Sequence, residues 1–412
     1  MKKNKYLKVL GNKNFLKLWG SQIFSQVALN MLNFILVLKI FDQTGSTVAV
    51  SLVLIFYALP ALILGPFSGT LVDLWNKRRL LMLTNALQGL IILFYIPFKE
   101  LIWPIYGIIF LYSFVNQFYL PGEAATLPGV VEKQSLSVAN SIFLFSVYGS
   151  FIGGYGLAGP MVKSMGWEAP FVLATLMLWL ASFSASLLPS GAGRSQVGAK
   201  NFAQFKTRLK EGYQFIRSEP LVFLPFLLLV FAQTLTSTSA VLFPSYATEI
   251  LAIDIRDLSV VLIIPAGAGA FLGAAAVVRQ VKRVRKKTLI ESGVFLASFC
   301  LFLLALLVPK ILDFHLRLAT TSLVMFLAGI AFVFFAVPTQ TLIQEHTPKK
   351  LRGRVFGVLG FMITLGMTVP VLVAATIADF LGVTWIIFLA AGFIGLIGIY
   401  SRWGFPSWIL RR

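Results

Sequence analysis

Gly69-Thr70-Leu71-Val72-Asp73-Leu74-Trp75-Asn76-Lys77-Arg78-Arg79 sits between two long apolar runs, at 47–72 and 80–98. Three cations and one acid crowded into so short a break mark a loop at a membrane face, where basic residues gather on one side. Crossing the hydrocarbon takes roughly 20 apolar residues. Working outward from this loop, runs of that order recur at 15–41, 47–72, 80–98, 101–120, 136–162, 168–189, 220–247, 257–278, 288–309, 316–341, 354–379 and 384–404. They are continuously apolar, without the two-residue alternation of a barrel strand, so the spacing predicts helices.

Composition agrees. Of 412 residues, 58% are hydrophobic and 12% charged, against about 25% charged in an average soluble domain. A soluble core cannot hide that much apolar surface. The basic N-terminus precedes an apolar run too long for a signal peptide, and no small-residue cleavage site follows, so it reads as a retained first helix.

Sidedness fixes the count. With the N-terminus in the cytoplasm and twelve alternating helices, the inner segments are 1–17, 73–79, 121–135, 194–217, 279–287, 349–354 and 402–412, and they hold 29 of the 35 Lys and Arg residues. The other face keeps only Lys39, Lys99, Lys163, Arg256, Lys310 and Arg317. Dropping one helix would turn the later clusters outward and erase the bias. Twelve spans with both ends inside is the consistent reading, which makes this a multi-pass protein of the cell membrane.

Several function classes fall away. The net charge of +20 is dispersed in short clusters between spans, not in a groove interleaved with aromatics, so no nucleic-acid partner is expected. Cys300 is the only cysteine, and His315 and His346 are the only histidines; no disulfide framework, metal site or cofactor is expected. There is no G-x-x-x-x-G-K-[ST] phosphate loop, hence no ATP hydrolysis by that route. A membrane-embedded lipid-modifying enzyme would need a catalytic His/Asp/Glu cluster, and the spacing supplies none.

The longest polar stretch, 190–219, divides the chain between an N-terminal part at 1–189 and a C-terminal part at 220–412. Residues 190–200 are small and polar, a linker composition. Beyond them Phe202, Phe205, Leu209, Tyr213 and Ile216 recur at helical spacing among Lys206, Arg208, Lys210 and Arg217. That predicts an amphipathic helix lying on the anionic inner leaflet. The two parts also repeat. Gly65-Pro66-x-x-Gly69 corresponds to Gly269-x-x-x-Gly273, each before a basic loop. The segment from Pro121 to Leu127 parallels the one from Pro338 to Gln344, and Gly166-Trp167 and Gly382-x-x-Trp385 each open the last helix of a half. Internal repeats in helical membrane proteins point to transporters, with a central site where the repeats meet.

Polar residues inside spans mark candidate contacts with cargo. Gln22, Gln26, Asn30 and Asn33 of the first run fall within about 80° on a helical wheel. Four amides facing lipid would be costly, so this face lines protein or water, either as a substrate surface or as amide-to-amide bonding between helices. The seventh run offers Gln233, Thr236 and Ser237, the fourth Asn116 and Gln117, and the tenth Thr339 and Gln340. Among the acids, Asp42, Glu123, Glu249, Glu291, Glu345 and Asp379 all fall near predicted helix ends; Glu123 and Asp379 are the better candidates for carrying a proton.

The loop at 69–79 resembles the signature loop of the major facilitator superfamily. Asn14-Phe15, Leu18-Trp19, Thr44-Gly45-Ser46, Leu59-Pro60, Pro121, Leu127-Pro128, Ala139-Asn140-Ser141, Glu211-Gly212 and Arg352-Gly353-Arg354-Val355 are similar, in order and spacing, to the branch containing macrolide-efflux and enterobactin-export proteins. The loop departs from the family pattern at Leu74 and Asn76, where Arg and Gly are usual. The resemblance implies an all-α fold of two pseudo-symmetric six-helix bundles, with runs 1, 4, 7 and 10 lining a central cavity. It implies a gating motif of Gly69, Asp73, Lys77, Arg78 and Arg79, whose acid docks beside Arg352 and Arg354. Gly149 and Gly153 of the fifth run would pack against Gly269 and Gly273 of the eighth. It further implies a monomeric exporter of a small hydrophobic or amphipathic compound, driven by proton antiport. A lipid flippase or an importer of the same fold is the alternative.

Overall fold

A computed structural model describes residues 2–189, 202–280, 284–348 and 351–404, with side chains at all of these except 2–5, 66, 67, 69–71, 73, 74, 133, 137, 148, 202–206, 208, 278 and 401–404. After a short helix Lys2–Leu10, the long helices are α1 (Lys13–Thr44), α2 (Thr47–Leu74), α3 (Lys77–Leu93), α4 (Ile102–Val130), α5 (Leu136–Met165) and α6 (Ala169–Ser186). A linker helix, Phe202–Ser218, leads to α7 (Pro220–Tyr246), α8 (Ile264–Gln280), α9 (Lys286–Phe302), α10 (Phe314–His346), α11 in two pieces (Arg352–Gly366 and Val369–Leu381) and α12 (Val383–Gly404). Among the described residues, eleven helical stretches are both long and apolar enough to cross a membrane. The helix outside that set, α4, has the length, at 29 residues, but carries Asn116, Gln117 and Glu123.

Helix boundaries follow from local chemistry. Asn12 Oδ1 accepts from the backbone N–H of Asn14 and Phe15, at 3.0 and 3.2 Å, and so starts α1. Asn76 does the same for α3 through Arg79 N–H, and Asp313 for α10 through Leu316 N–H. Each satisfies a donor that a helix start otherwise leaves unpaired. Gly166 ends α5 and Gly382 ends α11 with φ of 87° and 88°, a backbone region that side chains disfavour. In both turns the glycine N–H returns to the carbonyl four residues back, so these repeat-related positions build the same turn.

The pairing of helices repeats as well. Helix α3 packs on α4 and α6, and α9 packs on α10 and α12. By contact the chain falls into two units, one of Met1–Lys39 with Val53–Phe205, the other of Ile40–Leu52 with Lys206–Arg412. In the first, Phe15, Leu18, Leu81, Tyr119 and Leu127 form a buried cluster. In the second, Val222, Phe226, Phe335, Leu342, Val355 and Val358 do, and Ile216 of the linker helix joins them.

One contact departs from expectation. Gly269 and Gly273 do face a neighbour, but it is α10 of the same unit: a Cβ on Gly269 would lie 1.9 Å from the Phe326 carbonyl oxygen, and one on Gly273 3.1 Å from Ile330 Cα. Gly329 of α10 returns the contact, its added Cβ falling 2.0 Å from the Ala266 carbonyl oxygen. The two backbones touch there, which only small residues permit. By contrast, a Cβ on Gly149 or Gly153 meets nothing within 4 Å, while Gly154 presses on Asn30 and Met31 of α1. The repeat places glycines at these helix faces, but the partner of each face depends on the fold.

Gly269→Ala therefore forces α8 from α10 and lowers stability by about 1–3 kcal/mol, the usual cost of overpacking. Gly149→Ala leaves the melting temperature in detergent unchanged. Equal melting curves for the two variants would refute the contact.

Candidate functional site

The first unit contains a seam of polar side chains between α1, α2, α3 and α4. Gln88 of α3 donates to Asn116 Oδ1 of α4 at 3.2 Å, and Asn116 Nδ2 reaches the Tyr57 hydroxyl of α2 at 3.4 Å. The Ser113 hydroxyl donates to the Tyr57 carbonyl at 2.5 Å, and Asn85 Nδ2 to Ser21 Oγ of α1 at 3.4 Å. One turn further along α4, the Tyr119 hydroxyl donates to Glu123 Oε1 at 3.0 Å. Glu123 is 9% exposed. Among the described residues it is the one carboxyl buried to that degree, and no cation pairs with it.

The four amides expected on one face of α1 divide. Gln22 is buried, donates to the Phe143 carbonyl of α5 at 3.2 Å, and leaves its Oε1 unpartnered. Its role is to tie α1 to α5. Gln26, Asn30 and Asn33 are half-buried. Asn33, with Tyr57 and Tyr112, borders a cavity of about 20 Å³, room for one water and far too little for cargo. On α4, Asn116 is consumed by the seam, and half-buried Gln117 donates to the Ser113 carbonyl at 3.2 Å. The second unit divides in the same way. Ser237 and Thr339 are buried, and the Thr339 hydroxyl donates back to the Phe335 carbonyl. Thr236 and Gln340 are exposed and Gln233 half-buried.

Sequence reading missed Ser21, Tyr57, Asn85, Gln88 and Tyr119. A signal was available: Asn85 and Gln88 lie three apart in an apolar run, one polar stripe on one helix face.

Of the loop residues, Gly69 and Asp73 fall in the last turns of α2, and the surroundings of Gly69 and the side chain of Asp73 lie outside what is described. The three cations do not act as one patch. Lys77 is buried and donates to the Val72 carbonyl, whereas Arg78 is half-buried and Arg79 exposed. Arg352 donates to the Thr347 carbonyl at 3.2 Å. Arg354, expected to receive Asp73, makes a 2.7 Å ion pair with Glu211 of the linker helix. That helix is docked through its small face: a Cβ on Gly212 would lie 2.8 Å from the Arg354 carbonyl oxygen. Its buried Ile216 is turned into the protein, while Lys210, Tyr213 and Arg217 are exposed.

Residues 18–369 match the family model of the Major Facilitator Superfamily. The chain belongs to that superfamily. Relatives include the uncharacterized MFS-type transporter YfiS of Bacillus subtilis (strain 168), 25% identical over 95% of this chain and 93% of its own. Macrolide efflux protein A of Streptococcus pyogenes is 23% identical over 92% of each chain. The multidrug efflux pump Tap of Mycolicibacterium fortuitum is 23% identical over 83% of this chain and 84% of its own. Among solved structures, the nucleoside transporter NupG aligns with a TM-score of 0.74 at 10% identity, covering 94% and 98% of the two chains. A bacterial homologue of the lysosomal transporter Spinster aligns at 0.73, with 12% identity and 95% and 96% coverage. At those identities the likeness is of fold. The protein is thus a membrane transporter of small molecules and not an enzyme.

Asp379, one of the two acids singled out as proton carriers, is spoken for. At the end of α11 it accepts from Ser46 Oγ at 2.8 Å, from the backbone N–H of Thr47 and Val48 at 3.0 and 3.2 Å, and from the Thr47 hydroxyl. The carboxylate caps α2 from a residue more than three hundred positions away, where the helix dipole also favours a negative charge. Asp379→Ala removes four donors' worth of acceptor and costs about 0.5–2 kcal/mol, as for other lost caps. Cysteines placed at Thr47 and Asp379 crosslink in membranes; failure to do so would refute the cap.

Proposed function

We propose that this protein exports a small hydrophobic or amphipathic compound across the cell membrane by alternating access, as a monomer with both ends in the cytoplasm, exchanging its cargo for protons. The match to macrolide efflux protein A over 92% of each chain carries the export reading; the match to the pump Tap supports it. Cargo contacts fall to the polar groups that are not buried: Gln26, Asn30 and Asn33 of α1, Gln117 of α4, Gln233 and Thr236 of α7, and Gln340 of α10. All are uncharged. A site for phosphates or inorganic anions would want Arg or Lys there, so neutral or amphipathic cargo fits better.

Glu123 is the proton-binding group in this reading. An ionised carboxylate held away from water without a cation is expensive, and a single tyrosine hydroxyl offsets that only in part. Neutralisation by a proton answers it. Asp379, holding four donors, has no such need.

The test is transport by purified protein in lipid vesicles, with a radiolabelled macrolide as first probe. An imposed pH gradient accelerates macrolide movement, and a protonophore abolishes the acceleration. Gradient-independent movement of a fluorescent phospholipid, with no movement of macrolide or other amphipathic probes, would overturn export in favour of flipping. Gln26→Leu raises KM about tenfold, as expected when a site loses a hydrogen-bonding group, with protein levels in the membrane unchanged.

A further inference from the structure

The cavity beside Asn33 is too small for cargo, yet its lining is not wholly apolar: Asn33, Tyr57 and Tyr112 stand among leucine, isoleucine, valine and phenylalanine side chains. We propose that it is a binding site for one ordered water, which joins Asn33 of α1 to Tyr57 of α2 and Tyr112 of α4. The size fits. The cavity measures about 20 Å³, and a buried water takes roughly 10–15 Å³ of such space together with two to four polar partners.

Each of the three polar groups has bonding capacity that the protein does not use. Tyr112 is 5% exposed, and among the described residues neither its hydroxyl nor the half-buried Asn33 amide hydrogen-bonds to another protein group. The Tyr57 oxygen accepts from Asn116 Nδ2 at 3.4 Å, but its own hydrogen meets no protein acceptor among them. A phenol has one hydrogen to give, and an amide both gives and accepts. None of the three bonds directly to another. One water between them answers all three, accepting from the Tyr57 and Tyr112 hydroxyls and donating to Asn33 Oδ1. The apolar remainder of the wall offers those hydroxyls nothing, and a buried donor left unmet is costly.

With the water in place a hydrogen-bonded chain runs through four helices. It passes from Asn33 of α1 through the water to Tyr57 of α2, then to Asn116 of α4 at 3.4 Å and Gln88 of α3 at 3.2 Å. A bridging water is nearly as favourable as a direct bond, and it can trade donor and acceptor roles when its neighbours shift. The joint thus ties α1 to the polar seam without a direct side-chain bond between them. Only Oδ1 of Asn33 is used, which leaves its amide hydrogens for the cargo contact proposed above.

Two variants of lining residues read the occupant by the sign of their effect. Tyr112→Phe deletes one partner of the water, so the melting temperature of the purified protein in detergent falls by about 1–3 °C. Without a water, the same change removes an unpaired hydroxyl from an apolar wall, and the melting temperature holds or rises. Val53→Ile adds a methylene to the cavity and crowds the water out. In that background the Tyr112 hydroxyl has lost its partner, so adding Tyr112→Phe no longer lowers the melting temperature. Such a reversal is coupling through a shared neighbour, which a packing fault at either residue cannot mimic. A high-resolution map of the parent protein shows a density peak about 2.7–3.2 Å from the three polar groups. No peak there, a melting temperature that holds or rises in Tyr112→Phe, or the same fall in both backgrounds overturns the water site.

Discussion

A polar group carried into hydrocarbon has to be answered from within the protein, since lipid tails offer it nothing. Much of this structure follows from how each residue type meets that demand. Hydroxyls answer themselves: Thr84, Thr126, Ser146, Thr238, Thr321 and Thr339 each donate to a carbonyl four residues back on their own helix. Among the amides Gln117 also folds back onto its own helix, at the Ser113 carbonyl, but Gln22, Asn85, Gln88 and Asn116 reach across to other helices. The one carboxyl buried among the described residues, Glu123, takes its hydrogen bond from Tyr119, one turn back on the same helix. That ordering explains why the amides and Glu123 gather in one seam while the threonines are scattered.

Even the seam is incompletely answered, for the carbonyl oxygens of Gln22, Asn85 and Gln88 find no protein donor. A buried acceptor left unpaired costs about 1–3 kcal/mol. Three such groups on adjoining turns of α1 and α3 make this the polar region of the first unit with most to gain from rearrangement. A stable scaffold would have replaced them with leucine. Their presence beside the buried acid fits a part of the molecule that changes its hydrogen bonds during function, and the apolar cluster of Phe15, Leu18, Leu81 and Leu127 around Tyr119 confines that change.

What the sequence could show depends on the range of the physics involved. Span positions, the internal repeat and the family loop rest on local composition, and the helices fall where the apolar runs predict. The matching turns at Gly166 and Gly382 were legible for the same reason. Side-chain commitments were not. Nothing in the α1 sequence separates Gln22, tied to α5, from Gln26 one turn later. Gly269 and Gly149 look alike in sequence, and only the fold shows that one touches a backbone and the other does not. Asp379 looked like a free acid near a helix end because its partners, Ser46, Thr47 and Val48, are far away in the chain. The break at Met367–Thr368 was hidden inside a continuous apolar run, although Pro370 just beyond it lacks the N–H that an unbroken helix needs.

That break gives α11 a mechanical character of its own. Its first piece is fastened at Arg354 to Glu211, with Gly212 of the linker helix seated on the same turn. Its second piece is fastened at Asp379 to the start of α2. Between them Gly366 is pressed against Thr234 of α7, where an added Cβ would lie 2.3 Å from the threonine hydroxyl. A straight helix of thirty residues would transmit any tilt at one end rigidly to the other. The break divides those residues into two shorter pieces, packed at the joint and tied at each end by a carboxylate. Both ties are electrostatic and partly exposed, so each is weak enough to be exchanged for water or another partner. The joint is packed backbone to side chain and is not. The ends of α11 are thus held by its more exposed attachments, and its middle by the more closely packed one.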